Sequence, residues 1–332
     1  MRINLKTSDI ELLAQSITSG DRKAIANGIT LVESTKEEDQ ALSEQLLNKL
    51  QASKKDSIRI GVSGPPGVGK STFIEALGHP ILETGEQLAI LAIDPSSSIS
   101  GGSILGDKTR MEFLSRSENT FIRPSPSGGN LGGVNRSTRE SISILEAAGY
   151  SVILVETVGV GQAETEVFEM TDIFLVLLSP GGGDELQGIK RGIIELADIL
   201  VVNKSDGNLL ATSKSTMLDY KNALKLLKPR IKEWTIPILS CSALQKEGIN
   251  EAWDQILKLK NHLISTGQLK DNRHKQNEIW LKNKKKNLIL SAIESDETLI
   301  DKLSQTKKTQ WQDIQKTSFL SDVIKKIKEK MK

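Results

Sequence analysis

The residues Gly64-Pro65-Pro66-Gly67-Val68-Gly69-Lys70-Ser71 fit the pattern Gly-x-x-x-x-Gly-Lys-Ser/Thr. Glycines at this spacing let successive backbone N–H groups curl around an anion. A lysine next to them adds a point charge, and a serine hydroxyl after it can reach a divalent cation. The chemistry is that of a phosphate chain with its metal. The pattern needs a strand before it and a helix after it. Ile58–Ser63 reads as the strand, and Ser71-Thr72-Phe73-Ile74-Glu75-Ala76-Leu77 as the first turns of the helix. A Gly-rich turn without a ligand is the plain alternative, and the flanking elements weigh against it.

A phosphate loop leaves the base undetermined. Asn203-Lys204-Ser205-Asp206 fits Asn-Lys-x-Asp and follows the apolar run Ile199–Val202. A carboxylate offers two acceptor oxygens and no donor. Guanine presents adjacent N1–H and N2–H donors that match it, and adenine has no such pair, so Asp206 selects GTP over ATP. Asn203 and Lys204 brace the loop and cover the base. Taken alone, these four residues also read as turn formers after a strand. Ser242-Ala243-Leu244 follows the next apolar segment, where a loop can lend N–H groups to the guanine O6; a simple strand-to-helix turn is its alternative.

Glu156-Thr157-Val158-Gly159 resembles Asp-x-x-Gly with glutamate in place of aspartate. The carboxylate of Glu156 can hold Mg²⁺ through water, and Gly159 lets an N–H approach a γ-phosphate. Val160 cannot orient an attacking water; Gln162 is the candidate substitute. Slow intrinsic hydrolysis, raised when a partner orders this loop, is expected. The Ser- and Gly-rich stretch 94–111 suits a loop that closes on nucleotide and metal. Gly181–Lys190 reads as a second flexible hinge feeding a helix.

These loops need a scaffold. Residues 8–53 read as helices, with Ser8 or Asp9 capping the first and Asp21 capping Arg22–Glu33. From Ser57 to Leu263 strands and helices alternate, with strands at 57–63, 87–93, 120–123, 151–156, 173–178, 198–202 and 236–239. Several are apolar almost throughout, which suits burial on both faces of a mostly parallel sheet. Beyond Gly267 the chain turns helical again, over Glu278–Ile293 and Ser318–Met331. The expected architecture is an α/β P-loop NTPase, a mostly parallel central sheet flanked by helices, with helical extensions at both ends. The division is 1–55, 56–265 and 266–332.

Composition narrows the rest. A net charge of +2 over 332 residues gives no general affinity for nucleic acid. Residues 271–332 carry 15 Lys/Arg against 9 Asp/Glu, which reads as solvated helix faces or as a surface for an acidic partner. One cysteine, Cys241, excludes an intrachain disulfide and points to a reducing, cytoplasmic compartment, with the thiol expected buried. No apolar run is long enough to span a membrane, and the first residues lack a signal-peptide core.

Gly64–Thr72, the Asp94–Met111 stretch, Glu156–Gln162 and Asn203–Asp206 together resemble the MeaB/ArgK family of methylmalonyl-CoA mutase-associated G proteins. The resemblance covers residues 8–265 in order and spacing. It implies a GTPase chaperone that gates cofactor loading of an adenosylcobalamin-dependent acyl-CoA mutase and protects or reactivates it. It implies that Gly67–Thr72 bind phosphates. Ser71, Asp94, Asp107 and Glu156 would surround Mg²⁺, and Asn203, Lys204 and Asp206 would read guanine under Ser242–Leu244. It makes the 181–190 loop, with Lys190, a third switch tied to partner-stimulated hydrolysis, and the C-terminal extension a homodimerisation arm. Serine at position 205, where alanine is commoner, is conservative because that side chain points away from the base. The rival readings are a metallochaperone GTPase, a kinase and a non-catalytic nucleotide-dependent scaffold. Three histidines and one cysteine, scattered, do not make a metal-loading motif.

Overall fold

A computed structural model describes residues 9–94, 111–126, 133–157, 163–181, 191–227 and 229–294. Seven strands form one parallel sheet: β1 (Ile58–Ser63), β2 (Leu88–Asp94), β3 (Thr120–Pro126), β4 (Val152–Glu156), β5 (Ile173–Leu178), β6 (Ile199–Val202) and β7 (Ile238–Ser240). Their order is β3-β2-β4-β1-β5-β6-β7, and every pairing is parallel. The chain leaves β1 for one side of the sheet and returns for the other. The carboxyl end of β1 therefore lies where the winding reverses, the position at which open α/β sheets bind ligands.

The continuous apolar runs have a simple reason. In β5, Phe174, Val176 and Leu178 join one hydrophobic layer while Ile173, Leu175 and Leu177 join the other. A strand's side chains alternate, so a strand covered on both faces must be apolar at every position. One face is covered by α4 (Lys70–Glu83) and α10 (Ile249–Ser265), the other by α6 (Gly133–Ala148), α7 (Ala163–Phe168) and α8 (Arg191–Leu196).

All seven expected strands are present. β3 runs on to Pro126, three residues past its expected end. Pro124 and Pro126 lie in this extension; β3 is an edge strand, where proline is tolerated at positions whose missing N–H would face away from β2. The N-terminal residues form α1 (Asp9–Thr18), α2 (Arg22–Glu33) and α3 (Glu37–Leu50). Asp21 caps α2 as expected, accepting from Ala24 N at 2.6 Å. These helices pack on α6 and share its core. A Cβ on Gly28 would stand 2.9 Å from Ile17 Cδ1 and 3.5 Å from Ile144 Cδ1, so a larger residue would push the end of the Ile17 side chain aside where α2 meets α1.

The helix α5 (Glu112–Arg116) is tied to α4, with Glu75 accepting from Phe113 N at 2.6 Å and Leu114 N at 3.3 Å. α9 (Leu210–Leu224) follows β6, and α11 (Gln268–Glu294) ends the described chain. Two compact units are distinguished, Met1–Lys270 and Asp271–Lys332. In the second, α11 carries a His274–Glu278 pair and Lys284 over the Trp280 ring. The expected helix 278–293 lies within α11; 318–331 lies outside the described residues. Among the described residues no helix is long and apolar enough to cross a membrane.

Candidate nucleotide-binding site

The phosphate loop leaves the end of β1 and enters α4 at Lys70. Gly64, Gly67 and Gly69 have φ of 151°, 76° and 94°, in the half of conformational space that glycine occupies without strain. At two of them the space is also closed. A Cβ on Gly64 would lie 2.5 Å from Leu177 O, and one on Gly69 would lie 2.8 Å from Asn203 Nδ2. Val68 is wholly buried and anchors the loop, while Pro66 and Gly67 are exposed at its crown.

Lys70 is 7% exposed, and its Nζ donates to Gly64 O at 2.8 Å and Pro65 O at 3.2 Å. The ammonium lies across the loop's concave side on carbonyl acceptors that phosphate oxygens can replace. Burial lowers the Lys70 pKa, while Glu156 and then Glu164 act to raise it. Ser71 Oγ donates to Glu156 Oε1 at 2.9 Å, joining the first turn of α4 to the end of β4. A hydroxyl and a carboxylate in contact are hard oxygen donors of the type that suits Mg²⁺. Among the described residues no group of three or more His, Cys, Asp or Glu could hold a metal ion.

Asn203 and Lys204 bind the loop from the β6 side. Asn203 Nδ2 donates to Val68 O at 2.8 Å, and its Oδ1 accepts from Ala243 N at 3.0 Å and Cys241 Sγ at 3.4 Å. Lys204 takes a left-handed φ of 58°, and its Nζ reaches Gly67 O at 2.7 Å. Ser205 points into the protein, donating to Val202 O at 2.8 Å and lying 2.5 Å from Ser213 Oγ. Asp206 accepts from Ser242 Oγ, which fastens its carboxylate to the loop after β7. Ser242 and Ala243 are buried, while Leu244 is 76% exposed. Cys241 is buried as expected, and burial pushes its thiol up to about 12.

Of the expected site residues, the structure therefore brings Gly64–Thr72, Glu156, Asn203, Lys204, Asp206 and Ser242–Leu244 to the carboxyl ends of β1, β4, β6 and β7. The Asp94 side chain, Asp107, Gly159, Gln162 and Lys190 lie outside the described residues, as do most of the 94–111 and 181–190 loops and residues 158–162. Sequence reading passed over Glu164. It is 2% exposed at the head of α7 and acts on Lys70. An acid in a helix's first turn is so common that it carries no signal by itself.

The arrangement can hold a phosphate chain at one end and a purine with adjacent N–H donors at the other. Relatives agree. The model of the methylmalonyl Co-A mutase-associated GTPase MeaB family matches residues 25–298. The GTPase ArgK of Escherichia coli is 46% identical over 288 residues, 86% of this chain and 87% of that protein. The mitochondrial methylmalonic aciduria type A homolog of Mus musculus is 46% identical over 284 residues, 82% of this chain and 68% of that one. A solved structure described as a LAO/AO transport system kinase superposes with a TM-score of 0.77 at 34% identity and covers 99% of both chains. The chain thus belongs to the MeaB family of guanine-nucleotide-binding P-loop proteins, and it is a GTPase.

Proposed function

We propose that this GTPase serves as a chaperone for an adenosylcobalamin-dependent acyl-CoA mutase of the methylmalonyl-CoA mutase type. It would gate cofactor loading and protect or reactivate the mutase. The observation that carries the nucleotide half is the Asn203 side chain, which ties the phosphate loop at Val68 to the base loop at Ala243 with Asp206 alongside. The mutase half is supported by the family description and by the relative named for methylmalonic aciduria.

In this reading Gly64–Thr72 cradle the phosphates and Lys70 exchanges the carbonyls of Gly64 and Pro65 for β/γ-phosphate oxygens. Asp206 takes the two guanine donors while Asn203 and Lys204 brace it, and Ser242–Leu244 close over the base. Ser71 and Glu156 hold the Mg²⁺ neighbourhood, with Asp94 and Asp107 as further candidates. Magnesium, when bound, neutralises charge that develops on the phosphates. Gly159, Gln162 and Lys190 act on the terminal phosphate and the attacking water. The 266–332 extension forms a homodimerisation arm, apart from the 1–55 helices and the 56–265 GTPase domain. A cytoplasmic setting fits a chain with a single buried cysteine.

The test is nucleotide hydrolysis by the full chain with GTP and with ATP, each with and without a cobalamin-dependent acyl-CoA mutase. Slow GTP turnover, raised by the mutase and absent with ATP, is the expected result. A preference for ATP, γ-phosphate transferred to a protein or amino-acid acceptor, or indifference to the mutase would overturn the reading.

A further inference from the structure

The base loop after β7 is closed on itself and held at its turn by α4. Ser242 N donates to Glu247 O at 3.0 Å, and Glu247 N returns a bond to Ser242 O at 3.1 Å. Ser242 Oγ fastens Asp206 and accepts from Gln245 N at 3.2 Å. Between Gln245 and Glu247 stands Lys246, with a left-handed φ of 59°. A lysine in that conformation is strained and keeps it only where its surroundings fix it. Its Nζ lies 3.1 Å from His79 Nε2 on α4. The His79 ring is held in turn. It stacks on Phe113, with centroids 3.8 Å apart and planes 14° from parallel. Phe113 N donates to Glu75, one turn earlier on α4.

We propose that His79 is a positioning residue for guanine recognition: its neutral ring holds Lys246, and with it the loop that carries Ser242 and steadies Asp206. The inference rests on the base-loop reading above. An ammonium has donors and no acceptor, so the contact needs a bare Nε2, with the ring proton on Nδ1. A proton at Nε2 sets two cations face to face, and the lysine turns away to water. Among the described residues, the charges facing the ring are Glu75 and Glu83 on α4, Lys246 on the loop, and Glu112 and Arg116 on α5. Glu75 already accepts from Phe113 N and Leu114 N, and Glu112 pairs with Arg116. Burial first, then Lys246, holds the ring below the ordinary histidine value of 6.5, against Glu75 and Glu83. The contact is therefore intact at neutral pH and is lost on the acid side.

The test is calorimetric affinity of the full chain for GDP, with Mg²⁺ present, between about pH 5.5 and 7.5. His79→Phe keeps the stack on Phe113 but offers no acceptor, and should weaken binding about threefold to fivefold at neutral pH. His79→Gln offers an amide oxygen that does not titrate, and should recover most of that loss. The phosphates of the nucleotide titrate in the same range, so the readout is the ratio of wild-type to His79→Gln affinity, in which they cancel. That ratio should fall about threefold from the neutral to the acid end. In a Lys246→Met background the same ratio should stay flat, because the ring has lost its partner. A ring that only supports the fold would change the melting temperature without moving the ratio. A flat ratio with Lys246 present, or an equal fall in the Lys246→Met background, overturns the proposal. If His79→Phe does not fold, Lys246→Met, on an exposed loop, must reproduce its loss, and undiminished GDP affinity there also overturns the proposal. A wild-type chain that does not prefer GDP to ADP would instead remove the base-loop reading itself.

Discussion

Asn203 and Val68, 135 residues apart in the chain, are joined by a 2.8 Å hydrogen bond from the side-chain Nδ2 to the main-chain carbonyl oxygen. The other end of the same amide accepts from Ala243 N at 3.0 Å. One side chain thus fixes the distance between a loop built for phosphate and a loop built for a base. Asn203 is 2% exposed, so neither bond is shared with bulk water.

Asn203→Ala should therefore damage both ends together. It leaves a buried carbonyl and a buried N–H without their partner, at a cost of about 1–3 kcal/mol each. Melting temperature and GDP affinity should both fall, the latter by roughly tenfold or more. Asn203→Asp keeps the acceptor for Ala243 but turns a buried carboxylate oxygen onto the Val68 carbonyl, and should lose at least as much. If calorimetry found GDP binding intact in Asn203→Ala, the coupling of the two loops would be unsupported.

Asp206→Asn tests base selection through donor and acceptor count. The carboxylate accepts twice, whereas an amide accepts once and donates once. GTP affinity should drop by about 10²-fold, since one guanine N–H loses its acceptor and the other oxygen position becomes a donor. Xanthine, which replaces the 2-amino group by a carbonyl, should gain affinity in the same variant. Competition between GTP and XTP for the variant reads the outcome directly, and a variant that still prefers GTP would remove Asp206 from the base.

Much of this was legible in the sequence, for identifiable reasons. Ile173–Leu178 declares a doubly covered strand because every position is apolar, and both faces do take alternate residues. Asp21 declares its cap, and Ser205 its inward direction. Sequence did not reveal that β3 tolerates Pro124 and Pro126, because edge position is a property of the sheet. Nor did it reveal the Asn203 bridge or the burial of Glu164. Both depend on strands brought side by side from distant parts of the chain. The expectations on Asp107, Gly159, Gln162 and Lys190 fall outside the described residues.

The glycines of the phosphate loop should differ in their tolerance of a methyl group. Gly64→Ala places a Cβ 2.5 Å from Leu177 O, a backbone atom of a central strand that cannot yield cheaply. A loss of about 2–4 kcal/mol is expected, with nucleotide binding lost alongside. Gly67 has a φ of 76° but open space around it. Gly67→Ala should cost only the backbone strain, about 1–2 kcal/mol. Equal losses in the two variants, read by denaturant unfolding, would contradict the packing at Leu177.

Cys241 should resist alkylation in the folded protein. Burial pushes its thiol up to about 12, and the thiolate is the reactive species. At pH 8 labelling should proceed only through opening of the loop after β7, at least about 10²-fold slower than in denaturant. Because Cys241 Sγ donates to Asn203 Oδ1, guanine nucleotide should slow labelling further. Rapid labelling unaffected by GDP would show the base loop to be open.

The lowered pKa of Lys70 predicts two opposite pH trends from one group. In the proposed reading nucleotide binding uses the ammonium, so GDP affinity should fade on the alkaline side at a pH below the 10.5 of an ordinary lysine. Ligand-free stability goes the other way. Between the folded and the unfolded pKa, the unfolded chain holds a proton that the folded chain has lost, so stability attributable to Lys70 rises with pH in that window. Other lysines and tyrosines titrate there too, and comparison with Lys70→Met cancels them. The stability of wild type minus that of Lys70→Met should increase across the window while wild-type GDP affinity declines. Lys70→Met itself should bind GDP on the order of 10²-fold more weakly at neutral pH. A stability difference that stays flat up to pH 10.5 would mean that the buried ammonium is no harder to keep charged than one in water.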